Sequence, residues 1–152
     1  MPKPARSGKT TRAPWLAHYF QRHRDDDPAR DVPARRFINA SPESVQAKFF
    51  AIVKAVADAP PPAFSGGGYW EVMHGDMAGW YEVRVDGPDR RHYRLFCLLE
   101  RDGAALGLGG PSIVLICGKE KPFRTVLSKQ DYAEVKALGD EYRRRTPRSV
   151  AR

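Results

Sequence analysis

The chain has 152 residues and a formal net charge of +8, a length that predicts one ordinary globular domain with tails. A hydrophobic content of 41% argues against a disordered chain, and the lack of any apolar run of about 18 residues excludes a membrane-spanning helix. The basic balance favours polyanionic partners such as RNA, DNA or an acidic protein, although many basic proteins are merely soluble.

Residues 1–14 contain Pro, Gly, Ser, Thr and basic residues without periodicity, which predicts a disordered basic tail. No apolar stretch followed by a cleavage site occurs there, so we expect no secretory signal. Cys97 and Cys117 lie inside apolar runs and are interpreted as small core residues. No spacing of Cys and His matches a zinc site, so neither a metal nor another cofactor is predicted. A reducing cytoplasm is the expected location.

The aromatic segment 15–21 predicts a first strand, and "VPARRFINA" predicts a short helix or a turn. The clearest helical pattern follows in "SPESVQAKFFAIVKAVADAP", where apolar residues recur at helical spacing. Ser41 is a natural N-cap for this helix, and Pro42 suits its first position.

Three strands in series are predicted by "WYEVRV", "HYRLFCLLE" and "SIVLICG", and the turn signal "DGPD" separates the first two. Their short connections predict antiparallel pairing. The segment "SKQDYAEVKALGDEYRRR" predicts a closing helix capped by Ser128, and residues 147–152 are expected to form a C-terminal tail. We therefore expect an α/β fold of the α+β type, a single domain over residues 15–146 with helices on one face of an antiparallel sheet.

Arginines interrupt the first two of these strands. Successive side chains of a strand point to opposite faces, so the apolar sets of both strands must share the core side. This places four polar residues together on the other face: Glu82, Arg84, His92 and Arg94. Depending on the register, Arg84 lies opposite either His92 or Arg94.

Two adjacent arginines repel each other unless an anion or a carboxylate lies between them. Glu82 can supply that carboxylate, which would make the group a structural network on a solvated face. Alternatively, the arginines form a phosphate cradle, because a guanidinium presents a planar fork of donors that matches phosphate oxygens. Both interpretations are compatible with the sequence.

Further cations follow the third of these strands, in "ICGKEKPFRT". The end of that strand could bring Lys119, Lys121 and Arg124 close to the arginines, where they would bind RNA phosphate. Each of them taken alone could equally belong to a solvated basic loop.

The quoted strands, "GKEKPFRT" and the closing "DYAEV…EYRRR" together resemble the RelE/ParE superfamily of bacterial toxins, in particular its phage-derived, HigB-like branch. "SPESVQAKFFAIVKAV" is similar to that family's second helix, and the resemblance covers about residues 15–146. It implies a small fold in which an N-terminal strand and a helical hairpin pack on a twisted antiparallel sheet. It also implies a type II toxin neutralised by a cognate helix-turn-helix antitoxin, with scope for a higher-order toxin–antitoxin complex.

Members similar to RelE and HigB cut mRNA on the ribosome, whereas members similar to ParE act on DNA gyrase. The resemblance therefore implies a ribosome-associated mRNA endonuclease, an mRNA interferase that inhibits translation. The cations that such nucleases use match Arg84, Arg94, Lys119 and Lys121. A non-enzymatic ParE-like toxin and a non-toxic, phage-derived nucleic-acid-binding adaptor are the alternatives.

The acid and base of such an enzyme are less clearly matched. The tyrosine that some of these nucleases carry after the last strand has no clear counterpart, since Phe123 stands in that neighbourhood and Tyr132 lies further on. No histidine follows His92. His92, Glu82 and His74 are therefore the acid/base candidates.

Overall fold

The computed structural model describes residues 13–59 and 68–152. Within these ranges the chain is a mixed α+β fold with five strands and three α-helices. In chain order the elements are β1 (Leu16–Tyr19), α1 (Pro33–Asn39), α2 (Glu43–Asp58), β2 (Trp70–Val72), β3 (Tyr81–Asp86), β4 (Arg91–Glu100), β5 (Ser112–Pro122) and α3 (Lys129–Arg143). Most of the N-terminal stretch expected to be a tail, residues 1–12, lies outside the described residues.

The strands form one mixed sheet in the order β1-β5-β4-β3-β2. The three strands predicted in series, β3, β4 and β5, pair antiparallel, which confirms that expectation. The expectation of a wholly antiparallel sheet is wrong, because β1 pairs parallel with β5. The whole helical hairpin and three strands separate β1 from β5 in the chain. These two strands therefore lack the short connection that favours antiparallel pairing. The short edge strand β2 was not predicted as a strand.

Helices cover both faces of the sheet, not one as expected. Helices α1 and α2 pack on one face through residues such as Ile38 and Phe49. On the other face, Val135 and Tyr142 of α3 pack against a second cluster that includes Phe96. The run "LFCLL" of β4 explains the difference, since a continuous apolar run is typical of a strand that is buried on both sides.

The helix caps agree with the sequence in one case and differ in the other. Ser128 and Asp131 form a capping box at the start of α3. The backbone nitrogen of Asp131 lies 3.0 Å from Oγ of Ser128, and that of Ser128 lies 2.8 Å from Oδ2 of Asp131. Ser41 does not cap α2, so that prediction is wrong. Its hydroxyl instead donates to the carbonyl of Phe37 at 2.9 Å, and Pro42 occupies the N-cap position.

The C-terminal residues lie against the domain beside β1. Val150 forms an antiparallel bridge with Phe20, and the backbone N–H of Ala151 donates to the carbonyl of Tyr19 at 2.9 Å. Both cysteines are buried, as the sequence predicts. None of the helices in the described ranges has the length and apolar character needed to cross a membrane.

Candidate functional site

Four of the five predicted cations come together on the sheet face that also carries α3. Arg84 lies directly opposite Arg94, which is one of the two predicted registers, and Arg94 in turn lies opposite Lys119. In the next row, His92 lies opposite Lys121. We call these five residues the cationic face.

A β-bulge places the two lysines on this face. The pairing of β4 with β5 shifts so that Ile116 has no partner, which inverts the alternation of every later residue of β5. Before the bulge, Leu115 points into the core beneath α1 and α2. Without the bulge, Lys119 and Lys121 would share that direction, because all three positions are an even number of residues apart. The bulge turns both lysines onto the face of Arg94.

Arg94 forms the floor of the cationic face and is only 5% exposed. Within the described part of the chain, its guanidinium donates one hydrogen bond, from Nη1 to the carbonyl of Tyr93 at 3.2 Å. Its Nε lies 3.7 Å from Oε1 of Glu82, and its Nη1 lies 4.0 Å from Oδ1 of Asp86. Both separations are too long for hydrogen bonds. The two carboxylates therefore compensate the charge of Arg94 only in part.

The surroundings of Arg94 disfavour its positive charge. Burial, and then the charge of Arg84, lower the pKa of Arg94, while Glu82 and Asp86 oppose that change. Burial, and then the charge of Arg94, likewise lower the pKa of Lys121. A bound anion would relieve both penalties, because it supplies the missing opposite charge.

Glu82 lies at the upper border of the cationic face. Burial raises the pKa of its carboxyl, although Arg84, Arg94 and Lys121 act in the opposite direction. A carboxyl whose pKa lies above its ordinary value is suited to take up and release a proton nearer to neutral pH.

Sequence reasoning set aside Tyr132, which the structure brings to the same border. Its ring lies edge-to-face on Phe96 at 6.2 Å between centroids. Burial, and then Glu82, raise the pKa of its hydroxyl, while Arg94 lowers it. The capping box at Ser128 was the available signal, since it fixes Tyr132 in the first turn of α3.

His92 lies on the opposite side of the arginine row from Glu82. Its Nδ1 is 2.6 Å from Oδ1 of Asp86. Because a carboxylate only accepts, the contact assigns the N–H to Nδ1 and leaves Nε2 as the ring nitrogen that a ligand can reach. The ring also packs against that of Phe123, at 4.7 Å between centroids. Asp86, which sequence reasoning did not select, thus orients His92.

Two predicted phosphate-binding residues are placed less favourably. Lys119 lies on the cationic face but forms an ion pair with Glu134 of α3, and Asp131 lies 3.8 Å from its Nζ. Arg124 is exposed in the loop after β5 with a left-handed backbone, φ 67°. None of the contacts found among the described residues joins Arg124 to the cationic face. His74, the remaining acid/base candidate, precedes a 3-10 turn outside this cluster.

A cleft of about 660 Å³ opens beside the arginine pair. It runs between α2 and the part of β3 that extends beyond β2, and the described residues that line it include Lys48, Ile52, Tyr69, Arg84, His92 and Arg94. The arginine pair is therefore accessible to a ligand from this side.

Comparison of the chain with models of protein families, with curated proteins and with solved structures finds no match. The resemblance to the RelE/ParE superfamily thus depends on the residues quoted above.

Proposed function

We propose that this protein is the toxin of a type II toxin–antitoxin module and acts as a ribosome-associated mRNA endonuclease. The observation that carries the proposal is the order of residues across the sheet. Arg84 and Arg94 form one row, Glu82 lies one row above, and His92 lies one row below. Two of the three acid/base candidates thus flank a pair of cations.

This order suits cleavage of RNA by its own 2′-hydroxyl. The 2′-oxygen forms a bond to phosphorus while the bond from phosphorus to the 5′-oxygen breaks, which leaves a cyclic phosphate and a 5′-hydroxyl. The attacking and departing oxygens lie on opposite sides of the phosphorus, so the base and the acid must as well. Neighbouring rows are two residues apart, roughly 7 Å along a strand. A phosphate over the arginines would therefore have Glu82 on one side and His92 on the other.

In this arrangement each group has a separate task. Glu82 removes the proton of the 2′-hydroxyl, and His92 delivers a proton to the departing 5′-oxygen through Nε2, contributions typically worth about 10²–10⁴ in rate for an acid or base. Arg84, Arg94 and Lys121 stabilise the extra negative charge on the phosphate, at about 2.7–4 kcal/mol for a well-placed donor.

The fold supports the same proposal. An N-terminal strand, a helical hairpin, a sheet and a closing helix follow one another along the chain, in the order that the resemblance to RelE/ParE toxins implies. The cognate antitoxin would be a helix-turn-helix protein with an acidic segment that orders over the cationic face. On its addition, we expect hydrogen exchange to slow at Arg84, Arg94 and the 119–124 segment.

Expression from an inducible promoter tests the toxin directly. The unaltered protein should arrest growth and shorten cellular mRNA, and co-expression of the neighbouring antitoxin gene should restore growth. Arg84→Ala should relieve the arrest, because it removes one of the two opposed cations. Arg143→Ala is the matched control, since Arg143 is an exposed arginine at the far end of α3, and it should remain toxic.

Three outcomes would argue against the proposal. Normal growth at high soluble expression would contradict a toxin and favour the adaptor. Growth arrest with intact mRNA and a stable gyrase complex would favour the ParE-like alternative. Equal toxicity of Arg84→Ala and the unaltered protein would separate the activity from the cationic face.

A further inference from the structure

An exposed aromatic ring lies at the end of the arginine row. The carbonyl of Tyr69 accepts a hydrogen bond from the backbone N–H of Arg84 at 2.9 Å, which places Tyr69 beside Arg84 just before β2. Tyr69 is 59% exposed, and it lines the cleft together with both arginines. A large ring is thus presented to solvent next to two cations.

The backbone that carries Tyr69 is held in place. The next residue, Trp70, is buried and stacks on Tyr81 with a centroid distance of 5.1 Å and an interplanar angle of 12°. Trp70 also lies opposite Val83 in the pairing of β2 with β3. This anchor fixes the start of β2 and so limits where the exposed ring of Tyr69 can lie.

The walls of the cleft differ in chemical character. Ala51 and Ile52 of α2 and the ring of Tyr69 offer apolar surface, whereas Arg84 and Arg94 offer positive charge. A nucleotide has the matching parts, a flat base with an apolar face and an anionic phosphate. The volume of the cleft lies within the range of roughly 300–1,000 Å³ that is usual for small-ligand sites.

We propose that this cleft binds one nucleotide of single-stranded RNA, with its base stacked on Tyr69 and its phosphate on Arg84 and Arg94. The inference rests on the proposed function and adds the form of RNA that the site accepts. A base inside a duplex has both faces covered, so only an unpaired nucleotide can stack on a protein ring. Stacking uses the π-face that every base has, so this contact tolerates different sequences.

Two probes separate stacking from charge. The first is a short, fluorescently labelled oligoribonucleotide with 2′-O-methyl groups, which prevent cleavage. The second has the same length and the same phosphates but lacks the bases. Tyr69→Ala should weaken binding of the first probe by about 5-fold to 150-fold and leave binding of the second unchanged. The salt dependence should not change, because no phosphate contact is lost.

Further variants test whether binding requires an aromatic ring and whether that ring must be at position 69. Tyr69→Phe keeps the π-face and should bind like the unaltered protein, whereas Tyr69→Leu should behave like Tyr69→Ala. Phe50→Ala is the matched control, because Phe50 is 51% exposed on α2 but lines a different groove. It should bind both probes normally. Equal melting temperatures would show that all four variants are folded.

The outcomes also separate this inference from the proposed function. If the unaltered protein binds neither probe, both are overturned. If Arg84→Ala weakens binding of both probes while Tyr69→Ala weakens neither, the phosphate site stands and the base site is wrong. An equal loss on the two probes with Tyr69→Ala would also contradict stacking.

Discussion

Arg94→Met tests whether Arg94 is kept for a ligand or for the fold. Methionine retains an unbranched apolar stem and removes the charge. The guanidinium of Arg94 donates one hydrogen bond, at 3.2 Å, and the carboxylate oxygens of Glu82 and Asp86 lie 3.7 and 4.0 Å from it. Burial and the neighbouring Arg84 already disfavour its charge, as the lowered pKa of Arg94 indicates. Removing one member of a buried ion pair is costly where the other charge is left buried and unpaired. Glu82 keeps the charges of Arg84 and Lys121 beside it, so Arg94→Met mainly loses one long hydrogen bond.

We therefore expect the free energy of unfolding of Arg94→Met to lie at most about 1 kcal/mol below that of the unaltered protein. That limit corresponds to a fall in melting temperature of at most about 4 °C for a chain of this size. RNA binding should respond differently. A hydrogen bond to a charged group contributes about 1.5–3 kcal/mol, so the affinity should fall roughly 10-fold to 150-fold. The log–log salt slope should flatten by about 0.7.

Both quantities can be measured on one sample, by thermal unfolding and by titration with the uncleavable oligoribonucleotide over a range of salt concentrations. Arg94→Lys keeps the charge without the planar fork and should recover affinity only in part. Arg143→Met, the matched control, should change neither quantity. A melting temperature lowered by much more than 4 °C with an unchanged affinity would refute the reasoning, and would make Arg94 a structural partner of Glu82.

Three further predictions concern the surroundings of the site. Because burial raises the pKa of Glu82, the folded state holds this proton more tightly than the unfolded chain, and stability falls as pH rises from the unfolded-state pKa through the folded-state pKa. At pH values above that interval, Glu82→Gln should have a higher melting temperature than the unaltered protein, whereas below about pH 4 the two should melt alike. An equal gain at every pH would contradict this. A Cβ at Gly139 would lie 2.3 Å from Cζ2 of Trp80. In denaturant titrations Gly139→Ala should therefore lower the free energy of unfolding by roughly 1–3 kcal/mol, although alanine is favoured over glycine in a helix by about 1 kcal/mol. A more stable variant would mean that α3 does not approach the sheet so closely. Lys121→Ala should flatten the salt slope of RNA binding by about 0.7, and Lys119→Ala by less, because carboxylates of α3 already neutralise Lys119; equal effects would argue that these ion pairs open on binding.

The sequence was sufficient to predict which strand residues share a face. The two-residue period of a strand and the apolar sets of β3 and β4 place Arg84 and Arg94 together, and the short turn between them limits the register to two choices. The capping box of α3 was equally local, because Ser128 and Asp131 satisfy each other within one turn. Such predictions succeed because the interactions that decide them join residues close together in the chain.

The remaining features depend on residues that are distant in sequence. The pairing of β1 with β5 joins Leu16 to Ser112, and no local pattern indicates that partner. The ion pair of Lys119 with Glu134 depends on how α3 lies across the sheet. The bulge at Ile116 is also decided by packing, since "SIVLICG" is apolar throughout and gives no alternation from which a shift could be detected.

Partial coverage by α3 divides one sheet face into a core and a candidate site. At its upper end, Phe96 lies beneath α3 and is fully buried. One row lower, Arg84 is exposed to solvent. Glu82 lies opposite Phe96, at the border between the two regions. Burial on the side of Phe96 raises the pKa of Glu82, and the side of Arg84 supplies its neighbouring cations. A helix one turn shorter at its start would lose Tyr132 from this border and return Glu82 to water, which would lower the pKa of Glu82 and make it a weaker proton acceptor beside the arginines.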